Sequence, residues 1–87
     1  MYLEIISPDK IFFRGETEQV SVPGMAGNFT VLPGHAAIVS LLVEGDVVYI
    51  EKDLEKRFNI ISGMIEVKND KIVVCVDKSR ETPGNES

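Results

Sequence analysis

The feature that constrains this chain most is the shape of its apolar residues. Eleven valines and nine isoleucines stand against five leucines and three alanines. Side chains branched at Cβ lose rotamer freedom in a helix and pack well on a pleated strand. Seven glycines and four prolines punctuate the apolar runs. Together these predict an all-β domain and disfavour a helical bundle. The 87 residues supply one domain, because a core of that size does not divide.

Charge and composition narrow the partners. Nine Lys and Arg against fourteen Asp and Glu leave a net charge of −5, which argues against nucleic acid, since binding through phosphates rests on a basic excess. Apolar residues make up 44% and charged residues 26%, the usage of a packed globular chain. Cys75 stands alone, so an internal disulfide and a cysteine-built zinc site are both excluded. The opening Met1-Tyr2-Leu3-Glu4 lacks the basic and apolar regions of a signal peptide. The longest apolar stretch, Ala36 to Val43, is broken by Ser40 and falls far short of the roughly 20 residues of a membrane helix. The expectation is a soluble protein on the cytoplasmic side, without direct membrane insertion.

Along the chain, Leu3 to Ser7 reads as a first strand closed by a Ser7-Pro8-Asp9-Lys10 turn. Ile11 to Val22 reads as one long strand, or two broken at Gly15, with Val20 and Val22 inward. Pro23, Gly24 and Gly27 demand a turn or bulge. Asn28 to Leu32 resumes as a strand and Pro33-Gly34 ends it. Ile38 to Val43 and Val47 to Ile50 follow. Lys52 to Lys56 reads as a polar connection to a return strand, Arg57 to Ile61. Met64 to Lys68 alternates into a hairpin with Asn69-Asp70 at its turn. The run Ile72-Val73-Val74-Cys75-Val76 is apolar on both faces, as in a central strand covered on both sides. Short strands at this spacing imply a sandwich or barrel. The domain is placed at residues 1–80, with residues 81–87 as a polar, flexible tail.

Catalytic chemistry is hard to assemble from these residues. His35 is the only histidine and follows a Pro-Gly turn. No second His and no carboxylate in the neighbouring turn accompany it, so a turn or interface residue is favoured over a general base or a metal ligand. Cys75, inside a Val-rich run, reads as a small buried hydrophobe rather than a nucleophile. The Gly24-x-x-Gly27 pair has no following helix or lysine to cradle a phosphate and reads as backbone geometry. Lys68 and Lys71 flank a hairpin, which raises a lipoyl- or biotinyl-type carrier domain as an alternative. In such carriers the lysine occupies the turn, within Asp-Lys-Ala or Met-Lys-Met, and here Asn69-Asp70 hold the turn. No catalytic residue, cofactor or metal is therefore expected.

The stretch from Pro23 to Ala36, with spaced glycines, an aromatic and then Leu32-Pro33-Gly34-His35-Ala36, resembles the epsilon subunits of F-type ATP synthases. Leu3 to Gly15, with Ser7-Pro8 and Phe13-Arg14-Gly15, looks like that family's opening strand pair. Leu41 to Gly45 and Gly63 to Val67 look like its later segments, and the likeness spans about residues 3 to 80. The resemblance implies a flattened β-sandwich of about ten short, mainly antiparallel strands. It further implies a non-catalytic rotor subunit of the central stalk. Such a subunit couples rotation of the c-subunit ring, driven by protons or sodium ions, to the gamma subunit and the catalytic head. It would be peripheral, at the cytoplasmic face of the bacterial inner membrane.

Carried over by position, Ser7, His35 and Ser40 fall at the gamma interface and Asn28 at the c-ring interface. Asn28 stands where the family often has Glu, so a hydrogen bond would replace a salt bridge there. Ala37 replaces a usual Pro, and Ser62 the first of a common Gly-Gly pair. The family's C-terminal helical pair has no counterpart before Ser87, so neither an inhibitory hairpin nor an ATP site is expected in this polypeptide. Phe12, Phe13 and Met25 break the alternation beside turns and are candidates for an outward apolar patch or for caps on the core ends.

Overall fold

The computed structural model describes residues 1–79, and the tail read over 81–87 lies outside them. Eight strands follow in order: β1 (Tyr2–Ser7), β2 (Lys10–Glu16), β3 (Gln19–Gly24), β4 (Gly27–Val31), β5 (Ile38–Leu42), β6 (Gly45–Glu51), β7 (Leu54–Lys68) and β8 (Lys71–Ser79). The all-β expectation holds, with eight strands in place of about ten.

Hydrogen bonding runs through the strands as β2-β1-β8-β7-β5-β3-β4, with β6 joined to β3 and β7. The start of β7, from Leu54 to Ile60, pairs with β6, and its later part pairs with β8 from Ile60 and with β5 from Gly63. One layer thus holds β2, β1, β8, the end of β7 and β5. The other holds β4, β3, β6 and the start of β7. Every pairing is antiparallel except β1 with β8. The described chain measures 39 × 29 × 21 Å, a flattened body.

Alternation explains what lies between the layers. Leu3 and Ile5 of β1, Val20 and Val22 of β3, Val47 of β6, Ile60, Ile65 and Val67 of β7, and Ile72 and Val74 of β8 are all buried. Successive side chains on a strand point to opposite faces, so β1, β6 and β8 bury alternate residues along their inward stretches. Burying one such side chain contributes about 1.5–3 kcal/mol. Phe12 and Phe13 lie against this core as caps: the Phe12 and Phe58 rings are 4.8 Å apart and those of Phe13 and Tyr49 are 4.6 Å apart. Met25 is exposed at a turn.

Four expectations are corrected. The break between β2 and β3 falls at Thr17-Glu18, whose N–H groups donate to Met1 O and Ile50 O, while Gly15 pairs with Leu3 inside β2. The connection after β6 is only Lys52-Asp53, both at positive φ (52° and 66°), so β7 starts at Leu54 rather than Arg57. The segments Arg57 to Ile61 and Met64 to Lys68 are one strand. Cys75 is exposed rather than buried, because Ile72, Val74 and Val76 face the core while Val73 and Cys75 face outward. The Asn69-Asp70 turn is as expected, with φ of 51° and 58°.

Candidate interaction surface

Gly24 and Gly27 close the β3–β4 hairpin. A Cβ on Gly24 would stand 2.7 Å from Gly27 O and 2.9 Å from the Phe29 ring, so the glycine serves close approach of two strands. Asn28 follows on β4, the last strand of the path, and is exposed opposite Pro23. An exposed amide on an edge strand can both donate and accept hydrogen bonds.

The chain then turns through Leu32-Pro33-Gly34-His35. Gly34 takes φ +85°, which a side chain rarely adopts. The His35 N–H donates to Leu32 O at 3.1 Å. Its Nδ1 lies 2.7 Å from Ala36 O. A carbonyl only accepts, so Nδ1 carries the proton, and in the neutral ring Nε2 is left as an acceptor. Outside the loop, Asp70 Oδ1 accepts from the Gly34 N–H at 2.7 Å.

β5 continues from this loop. Ile38, Ser40 and Leu42 take the core side, while Val39 and Leu41 point outward and are 61% and 54% exposed. Ser40 Oγ donates to Leu41 O at 3.2 Å. Leu41 pairs with Met64, and Met64 with Cys75, so a row of outward side chains crosses three strands. Met25 joins it, because its N–H donates to Leu41 O at 3.0 Å. A shallow groove follows this row from Pro8, beside Ser7, past Cys75 and Met64 to Leu41 and Met25. Ser7 Oγ donates to Asp9 Oδ1 at 3.1 Å in the β1–β2 turn.

Of the residues read as one interface, His35 and Ser40 stand on one edge, five positions apart. Ser7 lies to the side of β5 across β7 and β8, about 14 Å away as three interstrand spacings. The register sets it level with Leu42, whereas His35 lies past the opposite end of β5, beside Asp70. The groove links the surroundings of Ser7 and Ser40, and Asn28 lies apart on β4. Sequence reasoning missed Val39, Leu41 and Met64. The run Leu41-Leu42-Val43, which breaks strict alternation, was their signal. The sequence marks Asp70 as a turn residue, and its bond to the Gly34 N–H emerges only in the fold.

Other chemistry stays sparse. Lys68 and Lys71 face each other across the last rung of β7–β8, so neither occupies the turn that a carrier lysine needs. No group of three or more His, Cys, Asp or Glu able to hold a metal occurs among the described residues. No helix among them is long and apolar enough to cross a membrane. On β6 and β7, Asn59 donates to Asp46 Oδ1 at 2.9 Å and Arg57 to Asp46 Oδ2 at 3.3 Å. The Asn59 bond, aided by Arg57 and opposed by partial burial, holds the Asp46 carboxyl below its ordinary value.

Comparison with known proteins places the chain in a family. The sequence profile of the ATP synthase Delta/Epsilon chain beta-sandwich domain matches residues 1–81. ATP synthase epsilon chain 2 of Nitrobacter hamburgensis is 33% identical over 94% of this chain. The ATP synthase epsilon chain of Sulfurovum sp. is 39% identical over the whole of it. The chain spans 60% and 69% of those two relatives' own lengths. A chain of the Euglena gracilis mitochondrial ATP synthase has the same fold, with a TM-score of 0.81 at 18% identity, over 88% of this chain and 50% of that one. By the profile match and these relatives, the chain belongs to the Delta/Epsilon-chain family of ATP synthase, whose members are not the catalytic subunits.

Proposed function

We propose that this domain works in the central stalk of an ATP synthase, between the gamma subunit and the ring of c subunits, passing the ring's rotation toward the catalytic head. The observation that carries the reading is the exposed apolar groove from Pro8 to Met25, on a member of this family. An exposed apolar centre with polar residues around it is the anatomy of a protein interface. Here Glu66, Asp77 and Ser62 supply the rim.

Gamma takes this face, with Ser7 beside the Pro8 end of the groove and Ser40 next to Leu41 on β5, and it extends along β5 to His35 at the opposite end. The His35 Nε2 accepts a hydrogen bond from a gamma donor. Asn28, on the opposite edge, meets the loops of the c ring through its side-chain amide. The assembly is peripheral, at the cytoplasmic face of the bacterial inner membrane, and protons or sodium ions drive the ring. Torque passes through such a part when it deforms less than its interfaces slip, and a close-packed Val and Ile core has low compressibility.

The test is binding of the chain to its own gamma subunit, measured by titration calorimetry. His35→Glu removes the Nδ1–H that holds the ring against Ala36 O, puts a flexible carboxylate in place of the aimed imidazole, and should weaken binding about tenfold, or ~1.4 kcal/mol. Its melting temperature should stay within about 3 °C of wild type, as expected of a loop substitution outside the core. Unaltered affinity would remove His35 from the interface. Unfolding would make it a structural residue.

A further inference from the structure

Asp70 stands far from His35 in sequence and beside it in space. It occupies the second turn position of the β7–β8 hairpin at φ 58°. Asp tolerates that conformation better than most residues. Its backbone carbonyl accepts from the Tyr2 N–H at 2.9 Å, and its Oδ1 accepts from the Gly34 N–H at 2.7 Å. The second bond spans 36 residues of sequence and has the short length of a charge-assisted contact. The bonds from His35 to Leu32 O and Ala36 O hold the loop to itself. The Asp70 carboxylate ties it to the body of the domain.

We propose that Asp70 is a positioning residue for partner binding. Its carboxylate fixes Gly34, so that the neighbouring His35 ring is presented to gamma in one orientation. The proposal rests on the assignment of His35 to the gamma interface. The turn needs a residue tolerant of positive φ, which Gly or Asn would satisfy. The carboxylate adds an acceptor that reaches Gly34. A loop ordered before binding avoids the entropic cost of ordering on contact, and the surface histidine keeps its Nε2 aimed at one donor.

The test compares Asp70→Gly with Asp70→Asn in the full chain. Glycine keeps the turn and removes the acceptor, whereas asparagine keeps the turn and a side-chain oxygen. In Asp70→Gly, amide exchange at Gly34 should speed up and gamma affinity fall about tenfold, through faster dissociation. The melting temperature should move by less than about 4 °C, since an exposed bond of this kind contributes little to global stability. Asp70→Asn should restore most of both. Unchanged exchange at Gly34, or unchanged affinity while His35→Glu still weakens binding, overturns the proposal alone. Affinity lost in step with the melting temperature makes Asp70 merely structural and overturns it too. Wild-type chain that does not bind gamma, or His35→Glu that binds as wild type does, removes the interface assignment and this proposal with it.

Discussion

Replacing Gly63 with alanine fills the tightest of the glycine positions among the described residues. Gly63 lies three residues past the end of the β6 pairing, where β7 takes up β5, at a register shift against β8. A Cβ built there stands 2.5 Å from Cys75 O and 3.4 Å from the Val76 Cα. The obstructing atom is a backbone carbonyl in a paired strand, so no side-chain rotation relieves the contact and β7 and β8 must part locally. Overpacking of this kind costs about 1–3 kcal/mol, and an obstacle of fixed backbone belongs at the upper end. Alanine also stiffens the unfolded chain, which offsets about 0.4–1 kcal/mol. The clash wins, leaving a net loss of about 2 kcal/mol. For a domain of this size each kcal/mol lowers the melting temperature by about 4–8 °C, so a fall of about 8–16 °C is expected. Thermal unfolding followed by far-ultraviolet circular dichroism measures it. Ser62→Ala is the control, since it removes only an exposed 3.2 Å bond to Asp77. A Gly63→Ala protein that melts within 3 °C of wild type (a shift worth under about 1 kcal/mol) would refute the argument, because the strands would then have separated at no cost.

Two further outcomes follow from exposed features. Asp46 titrates below its ordinary value of 3.8 through the Asn59 bond first. The stability this contributes is fully present above that unfolded value and is lost as pH falls through the lower folded value. Carbon-detected titration of Asp46 should therefore give a midpoint below 3.8 in wild type that rises in Asn59→Ala. A midpoint at 3.8 or above in wild type contradicts the mechanism. Cys75, exposed on the outer face, should react with a water-soluble aromatic disulfide in the folded chain and be protected at saturating gamma. Reaction that requires denaturant, or that gamma leaves unaltered, would count against the exposure or the assigned face respectively.

Much of this fold is legible in the sequence because its signals are local. Val20, Val22, Ile65 and Val67 alternate with polar neighbours, and Asn69-Asp70 is a pair that accepts positive φ readily. The Lys52-Asp53 turn has the same geometry but lacks that signature, since lysine seldom adopts positive φ, and so the start of β7 is concealed. The continuity of β7 is hidden for another reason. Around Ile60-Ile61-Ser62-Gly63 the strand passes from one layer to the other, and alternation fails where the buried face changes. Cys75 misleads because Val73 and Val76 flank it on both sides of the pleat, and only the fold shows which face stays open. At the surface, the Leu-Pro-Gly-His turn announces itself, while the tie between Gly34 and Asp70 depends on tertiary folding.

The passage of β7 through both layers has a mechanical consequence. Two stacked sheets joined only by side chains can slide over one another along a greasy plane. Here a single covalent strand of 15 residues is stitched to β6 at one end and to β5 and β8 at the other. Shear between the layers must bend that strand or unzip a ladder, so the sandwich resists skewing as a keyed joint does.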